Sequence, residues 1–246
     1  MELFFFCDAL RRQEASKVIG VIPYFGYARQ DVQHRPGECV SANVVIRFLE
    51  SIGFNKIYTI NLHDEATEGV FSIPFKNISA LPLLADTVKD YLGASGATPE
   101  QVSVVSPDQG GIERARKFGE HLFGTPDFTL SLIEKRRNLQ KIHQSKALDL
   151  YGNVKDKTVV LVDDMTTSGG TLIHASTLCM ERGAKRVMAA IVHHDFSDDA
   201  PAKIQASALD RFFTTDTIAL KPEQKFDKLT EVSVAALIAE ELKHLA

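Results

Sequence analysis

Residues Thr158 to Leu172 read TVVLVDDMTTSGGTL. The opening run, Thr158 to Val162, is apolar and β-branched, the composition of a buried strand. Two carboxylates, Asp163 and Asp164, follow at its carboxyl end, which is where open α/β sheets take their ligands. Next comes a tight polar turn, Thr166, Thr167, Ser168, Gly169, Gly170 and Thr171. A helix is predicted over Thr171 to Arg182, with Leu172, Ala175, Leu178 and Cys179 on its apolar face. Hydroxyls and closely spaced N–H groups at a helix N-terminus make an anion cradle, and glycine lets the backbone come close to a phosphate. The carboxylates cannot face that phosphate favourably. Asp163 and Asp164 therefore serve neutral hydroxyl groups or a hard cation such as Mg2+.

Working outward, apolar runs bounded by turn residues alternate with segments of helical period, which predicts an α/β protein with parallel strands. Further strands are predicted at Val18 to Pro23, Lys56 to Leu62, Val102 to Ser106, Thr129 to Ile133 and Arg186 to Val192. Ser41 to Ile52 forms an amphipathic helix, and Gly53 and Gly183 stand where helix ends favour a left-handed residue. MELFFFCDALRRQ at the start reads as a helix with a buried apolar face, and Ser233 to Leu245 reads as a closing helix. Asp90 to Gln101 is rich in Gly, Ala, Ser and Pro and is expected to be a surface loop. Leu139 to Asn153 is polar and weakly periodic, the expected place of a flexible lid.

The chain of 246 residues is 44% apolar and 24% charged, close to the soluble globular average, so disordered and fibrous classes are set aside. A net charge of -4 argues against sequence-independent nucleic-acid binding, which needs an excess of Lys and Arg. No apolar stretch has the length of a bilayer span, and no membrane association is expected. Cys7, Cys39 and Cys179 share no metal-ligand spacing. So few cysteines fit a reducing compartment, and a cytoplasmic protein is expected.

Three more segments carry chemistry: VIPYFGYARQD (Val21 to Asp31), NLHDEATEGVFSIPF (Asn61 to Phe75) and VVSPDQGGIERARKF (Val104 to Phe118). With the first stretch, and in this order, they resemble the ribose-phosphate pyrophosphokinase family over nearly the whole chain. The sugar-phosphate stretch alone is shared with type I phosphoribosyltransferases, whereas the first two of these segments are not. The resemblance implies two similar phosphoribosyltransferase-type α/β domains with parallel sheets flanked by helices. They would comprise residues 1 to 79, a truncated N-terminal pyrophosphokinase domain, and residues 80 to 246, which carry the ribose-phosphate loop.

It also implies transfer of the β,γ-diphosphoryl group of ATP to the 1-hydroxyl of ribose 5-phosphate, giving phosphoribosyl diphosphate and AMP for nucleotide biosynthesis, with Mg2+ required. Arg29, Gln30 and His63 would contact ATP, and His63 and Asp108 the metal. Asp163, Asp164, Thr167, Ser168, Gly169, Gly170 and Thr171 would hold ribose 5-phosphate. Lys135 and Arg137, in LIEKRRNLQ, match the basic pair of the family's catalytic flexible loop, where cations meet the oxygens that gain charge. Homo-oligomers are expected.

The sequence also departs from the family. The resemblance implies a strand and a nucleotide-contacting loop before the helix of Met1 to Arg12, which this sequence would lack, and Asn61, Ser72 and Lys76 stand where carboxylates are common. The first two replacements, and the run Arg35 to Glu38, are similar to archaeal-type members, and Thr167 replaces an Asp found in many relatives. The alternative reading is a non-catalytic homologue that binds phosphoribosyl ligands and pairs with catalytic subunits.

Overall fold

In the computed structural model the described residues are 1–93, 98–136 and 147–243. The chain divides into two compact units, Met1–Ser79 and Ala80–Ala246. In the first, α1 (Glu2–Arg12), β1 (Ile19–Ile22), α2 (Ser41–Ile52), β2 (Lys56–Ile60) and β3 (Phe75–Ile78) follow in order. The sheet order is β1-β2-β3, all parallel, with Ile19 opposite Lys56 and Ile57 opposite Phe75. Cys7, Ile46, Leu49, Phe54, Ile57 and Leu62 are at the centre of its core. Gly53 ends α2 in the left-handed conformation with φ 104°, and Arg11 Nε donates to its carbonyl at 3.1 Å, tying α1 to that helix end.

The initial helix forms as predicted, but its apolar run is not a buried face. Phe5 and Phe6 are 64% and 70% exposed, and of the helix only Cys7 is buried. At about 100° per residue, three consecutive phenylalanines cannot share one side of a helix.

The second unit contains α3 (Leu81–Leu92), β4 (Val102–Ser106), α4 (Ile112–Phe123), β5 (Thr129–Arg136), β6 (Ala147–Tyr151), β7 (Thr158–Thr166) and α5 (Gly170–Glu181). There follow β8 (Arg186–His194), α6 (Ala200–Ala206), β9 (Leu209–Thr215), β10 (Leu229–Val232) and α7 (Ala235–Leu242). The strand order is β10-β9-β8-β7-β4-β5-β6, parallel except for β6, which runs antiparallel to β5. Val159 to Val162 of β7 and Val187 to Val192 of β8 are buried, as strands covered on both faces require.

Two loop expectations change. Leu81–Leu92 is helical, so Asp90 to Leu92 belong to α3, and residues 94–97 lie outside the described residues. Ala147–Tyr151 of the expected lid is a strand, paired antiparallel with β5 from Ala147 opposite Arg136 to Tyr151 opposite Leu132. Residues 139–146 of that lid lie outside the described residues.

β7 occupies the middle of the seven strands. From β4 the chain moves to β5 on one side, and from β7 it moves to β8 on the other. The carboxyl ends of β4 and β7 therefore flank a topological switch point, the place where an open parallel sheet leaves a crevice for a ligand.

Candidate functional site

Asp108 follows β4 at this crevice, and Asp163 and Asp164 lie near the end of β7. The turn after β4 is closed by its own side chains: Ser106 Oγ donates to the Asp108 carbonyl at 2.6 Å, and Asp108 Oδ1 accepts the Gly111 N–H at 3.0 Å. Asp163 Oδ1 accepts the N–H of Asp164 at 2.9 Å and a hydrogen bond from Arg114 Nη1 at 2.8 Å. The same guanidinium nitrogen is 3.4 Å from Asp164 Oδ1.

Beyond the carboxylates, β7 continues to Thr166, whose carbonyl accepts the Asp195 N–H at 3.0 Å, and the Thr167 carbonyl accepts the Ser197 N–H at 3.0 Å. These bonds fix the turn against the segment following β8. Gly169 caps α5 with φ 74°, and an added Cβ would lie 2.9 Å from Ile204 Cγ1, so conformation and space both demand glycine. Ser168 Oγ accepts the Gly170 N–H at 3.4 Å, and the Gly169 carbonyl takes the Ile173 N–H at 2.9 Å. The N–H groups of Thr171 and Leu172 precede that bond, in the helix turn that has no intrahelical acceptors and meets anions well.

Burial above all, then the charge and hydrogen bond of Asp164, push the Asp163 carboxyl well above the usual carboxylate range; Arg114 pulls it down and Asp108 pushes it up. Behind the turn, His194 pairs with Thr166 across the ladder and His193 with Met165. His193 Nδ1 is 2.7 Å from Thr217 Oγ1, and His194 Nδ1 is 3.2 Å from Thr214 Oγ1. Thr214 Oγ1 gives its own proton to the Val192 carbonyl at 3.3 Å, so His194 Nδ1 is the donor. His194 Nε2 is buried without a hydrogen-bond partner among the described residues. Burial and then the neighbouring His193 depress the His194 pKa below the ordinary imidazole value, against smaller opposing contributions from Thr215, Asp195 and Asp216.

Residues 1–53 match a family described as the N-terminal domain of ribose phosphate pyrophosphokinase, and residues 104–246 one described as a phosphoribosyl synthetase-associated domain. Ribose-phosphate pyrophosphokinase 1 of Streptococcus pyogenes is 39% identical over 98% of this chain and 72% of its own length. The chain belongs to the ribose-phosphate pyrophosphokinase family. A ribose-phosphate pyrophosphokinase of Fusobacterium nucleatum is 38% identical over 97% of this chain and 72% of its own. The crystal structure of phosphoribosylpyrophosphate synthetase from Mycobacterium smegmatis superimposes with a TM-score of 0.89 at 33% identity, covering all of this chain and 76% of that one.

The family and the α/β fold expected from the sequence are thereby borne out. The crevice of the second unit brings together Asp108, Asp163, Asp164 and the turn from Thr167 to Thr171. Arg29, Gln30 and His63 belong to the first unit. Arg29 is exposed in the loop after β1, where the Gln30 carbonyl accepts the Ala42 N–H at 3.1 Å beside the start of α2. His63 is exposed just past β2, two residues after Asn61, whose φ of 38° is unusual for a side-chain-bearing residue. Lys135 lies in β5, and Arg137 lies outside the described residues.

Of the positions where the resemblance implies carboxylates, Ser72 gives its N–H to Glu50 Oε1 and Lys76 is exposed on β3. Sequence reading missed Arg114, whose partner Asp163 is 49 residues away, and the paired histidines behind the turn. It also missed Tyr27, exposed with φ 69° within VIPYFGYARQD, a backbone strain that sequence does not display.

Proposed function

We propose that this chain transfers the β,γ-diphosphoryl group of ATP to the 1-hydroxyl of ribose 5-phosphate, forming phosphoribosyl diphosphate and AMP. The observation that carries this reading is the pairing of Asp163 and Asp164 with an open helix N-terminus on the central strand, in a chain of this family. The turn from Thr167 to Thr171 takes the 5-phosphate, and the two carboxylates take ribose hydroxyls. The 1-hydroxyl oxygen bonds to the β-phosphorus while the α,β-bridging bond breaks, AMP departs and the hydroxyl proton is released. Lys135 and Arg137 supply positive charge to the diphosphoryl oxygens, and Arg29, Gln30 and His63 hold the nucleotide. Residues 1–79 would thus supply nucleotide contacts and residues 80–246 the sugar-phosphate site.

Mg2+ prefers a few hard oxygen ligands alongside substrate phosphates to a cage built wholly of protein groups. Asp108, exposed at the crevice, offers such an oxygen, and His63 is the second candidate ligand. When bound, the ion would neutralise charge on the transferred phosphates.

AMP formation from ATP, ribose 5-phosphate and Mg2+ tests the reading. We expect turnover that falls by about 100-fold or more in Lys135→Ala, and no turnover in the parent above that variant would refute it.

The chain is further proposed to work in the cytoplasm as a homo-oligomer. No helix among the described residues is long and apolar enough to cross a membrane, and Cys7, Cys39 and Cys179 are free thiols. Phe5, Phe6 and Leu10 on α1, with Val44 and Phe48 on α2, leave large apolar side chains exposed on the first unit, surface that favours association. Light scattering should give at least a dimer mass, reduced toward the monomer by Phe6→Asp. A parent that is monomeric at micromolar concentration would refute the assembly.

A further inference from the structure

Two neighbouring carboxyl groups in a crevice need a reason to stay aligned. Side chains of Asp163 and Asp164 are only 14% and 5% exposed, so water does little to soften their mutual repulsion. Arg114, in the first turn of α4, reaches both with one guanidinium nitrogen, at 2.8 and 3.4 Å, and is itself 13% exposed. Its charge persists at every working pH, and its flat donor set can hold a carboxylate in one orientation as an ammonium cannot.

The local backbone is shaped to admit this side chain. A Cβ built on Gly111 would lie 2.7 Å from Ser106 Oγ and 3.2 Å from Arg114 Nη1. Gly111 has a φ of -88°, so left-handed geometry is not what it provides there. It provides space, at the point where the turn after β4 is bonded through Ser106 and Asp108.

We propose that Arg114 is a positioning residue of the sugar site: it holds Asp163 and Asp164 in the orientation that receives the ribose hydroxyls, and Gly111 keeps its path open. The claim rests on the reading of those carboxylates as sugar ligands. With one guanidinium shared between them, the two carboxyl groups present acceptor oxygens, which suit hydroxyl donors better than phosphate. A sugar phosphate thus has one orientation in the crevice, hydroxyls toward Asp163 and Asp164 and phosphate toward the start of α5.

Calorimetric titration of the full chain with ribose 5-phosphate, and separately with a non-hydrolysable ATP analogue, tests this. In Arg114→Gln the dissociation constant for ribose 5-phosphate should rise by about tenfold or more, the scale of one lost charge-assisted hydrogen bond. That for the ATP analogue should change by less than about twofold. Arg114→Lys should recover only part of the loss. Gly111→Ala, which keeps every charge, should weaken the sugar phosphate in the same direction, and guanidinium ion should partly rescue Arg114→Ala. Equal weakening toward both ligands, or full recovery with lysine, would overturn the positioning role. A parent that binds no ribose 5-phosphate would sink the sugar-site reading itself. Parent-like sugar-phosphate affinity in a folded Arg114→Gln would sink this proposal alone.

Discussion

Gly169 and Gly170 stand side by side in the phosphate turn, yet the structure asks different things of them. At Gly169, φ is 74° and a Cβ would press on Ile204; at Gly170 the nearest atom to a Cβ is Ser168 Oγ, an ordinary 3.5 Å away. Gly169→Ala should therefore cost roughly 2 kcal/mol of stability, combining left-handed strain with overpacking. Gly170→Ala should leave stability within about 0.5 kcal/mol of the parent, while a methyl group at the helix entrance weakens ribose 5-phosphate. Denaturant unfolding of both variants checks this, and equal stability losses would contradict it. The sequence made the turn legible because its glycines, hydroxyls and carboxylates are contiguous. It could not rank the two glycines, since Ile204 enters from α6. Arg114 was hidden for the same reason: a residue whose meaning lies in a partner far along the chain has no local pattern.

Strands were legible where apolar residues fill them, and three of them run past the polar residues at which the apolar pattern stops. β7 was predicted to end at Val162 and runs to Thr166; β5 and β8 likewise extend to Arg136 and His194. Asp163, Asp164 and Thr166 look like loop residues by hydropathy, but neighbouring strands supply the ladder, with Thr166 opposite His194. β9, LDRFFTT, was missed because its charged start obscures an apolar middle. The end of β8 also carries a pH dependence. Because the folded His194 pKa is depressed, its contribution to stability is present above about pH 6.5, the unfolded imidazole value, and is lost as pH falls through the folded value. His194→Phe removes that titration. Its melting temperature should fall less than the parent's between pH 7.5 and 5.5, and a parallel fall in both would rule out this origin for the acid sensitivity.

At the scale of the whole molecule, each unit has a sheet and a buried cluster of its own. Alternating strands and helices announced this α/β architecture, whereas no local pattern distinguishes a three-stranded from a seven-stranded sheet. Residues 80–246 expressed alone should melt cooperatively and bind ribose 5-phosphate, yet form no AMP, because Arg29, Gln30 and His63 remain on the missing part. A fragment that folds but binds no sugar phosphate would place essential sugar contacts in residues 1–79. The two separate cores also bear on how such a chain can change over generations. On the proposed division of roles, substitutions that retune the choice of nucleotide donor would fall on one hydrophobic cluster and those that maintain sugar recognition on another. A lineage can then explore new donors while the cradle for the acceptor is inherited unaltered.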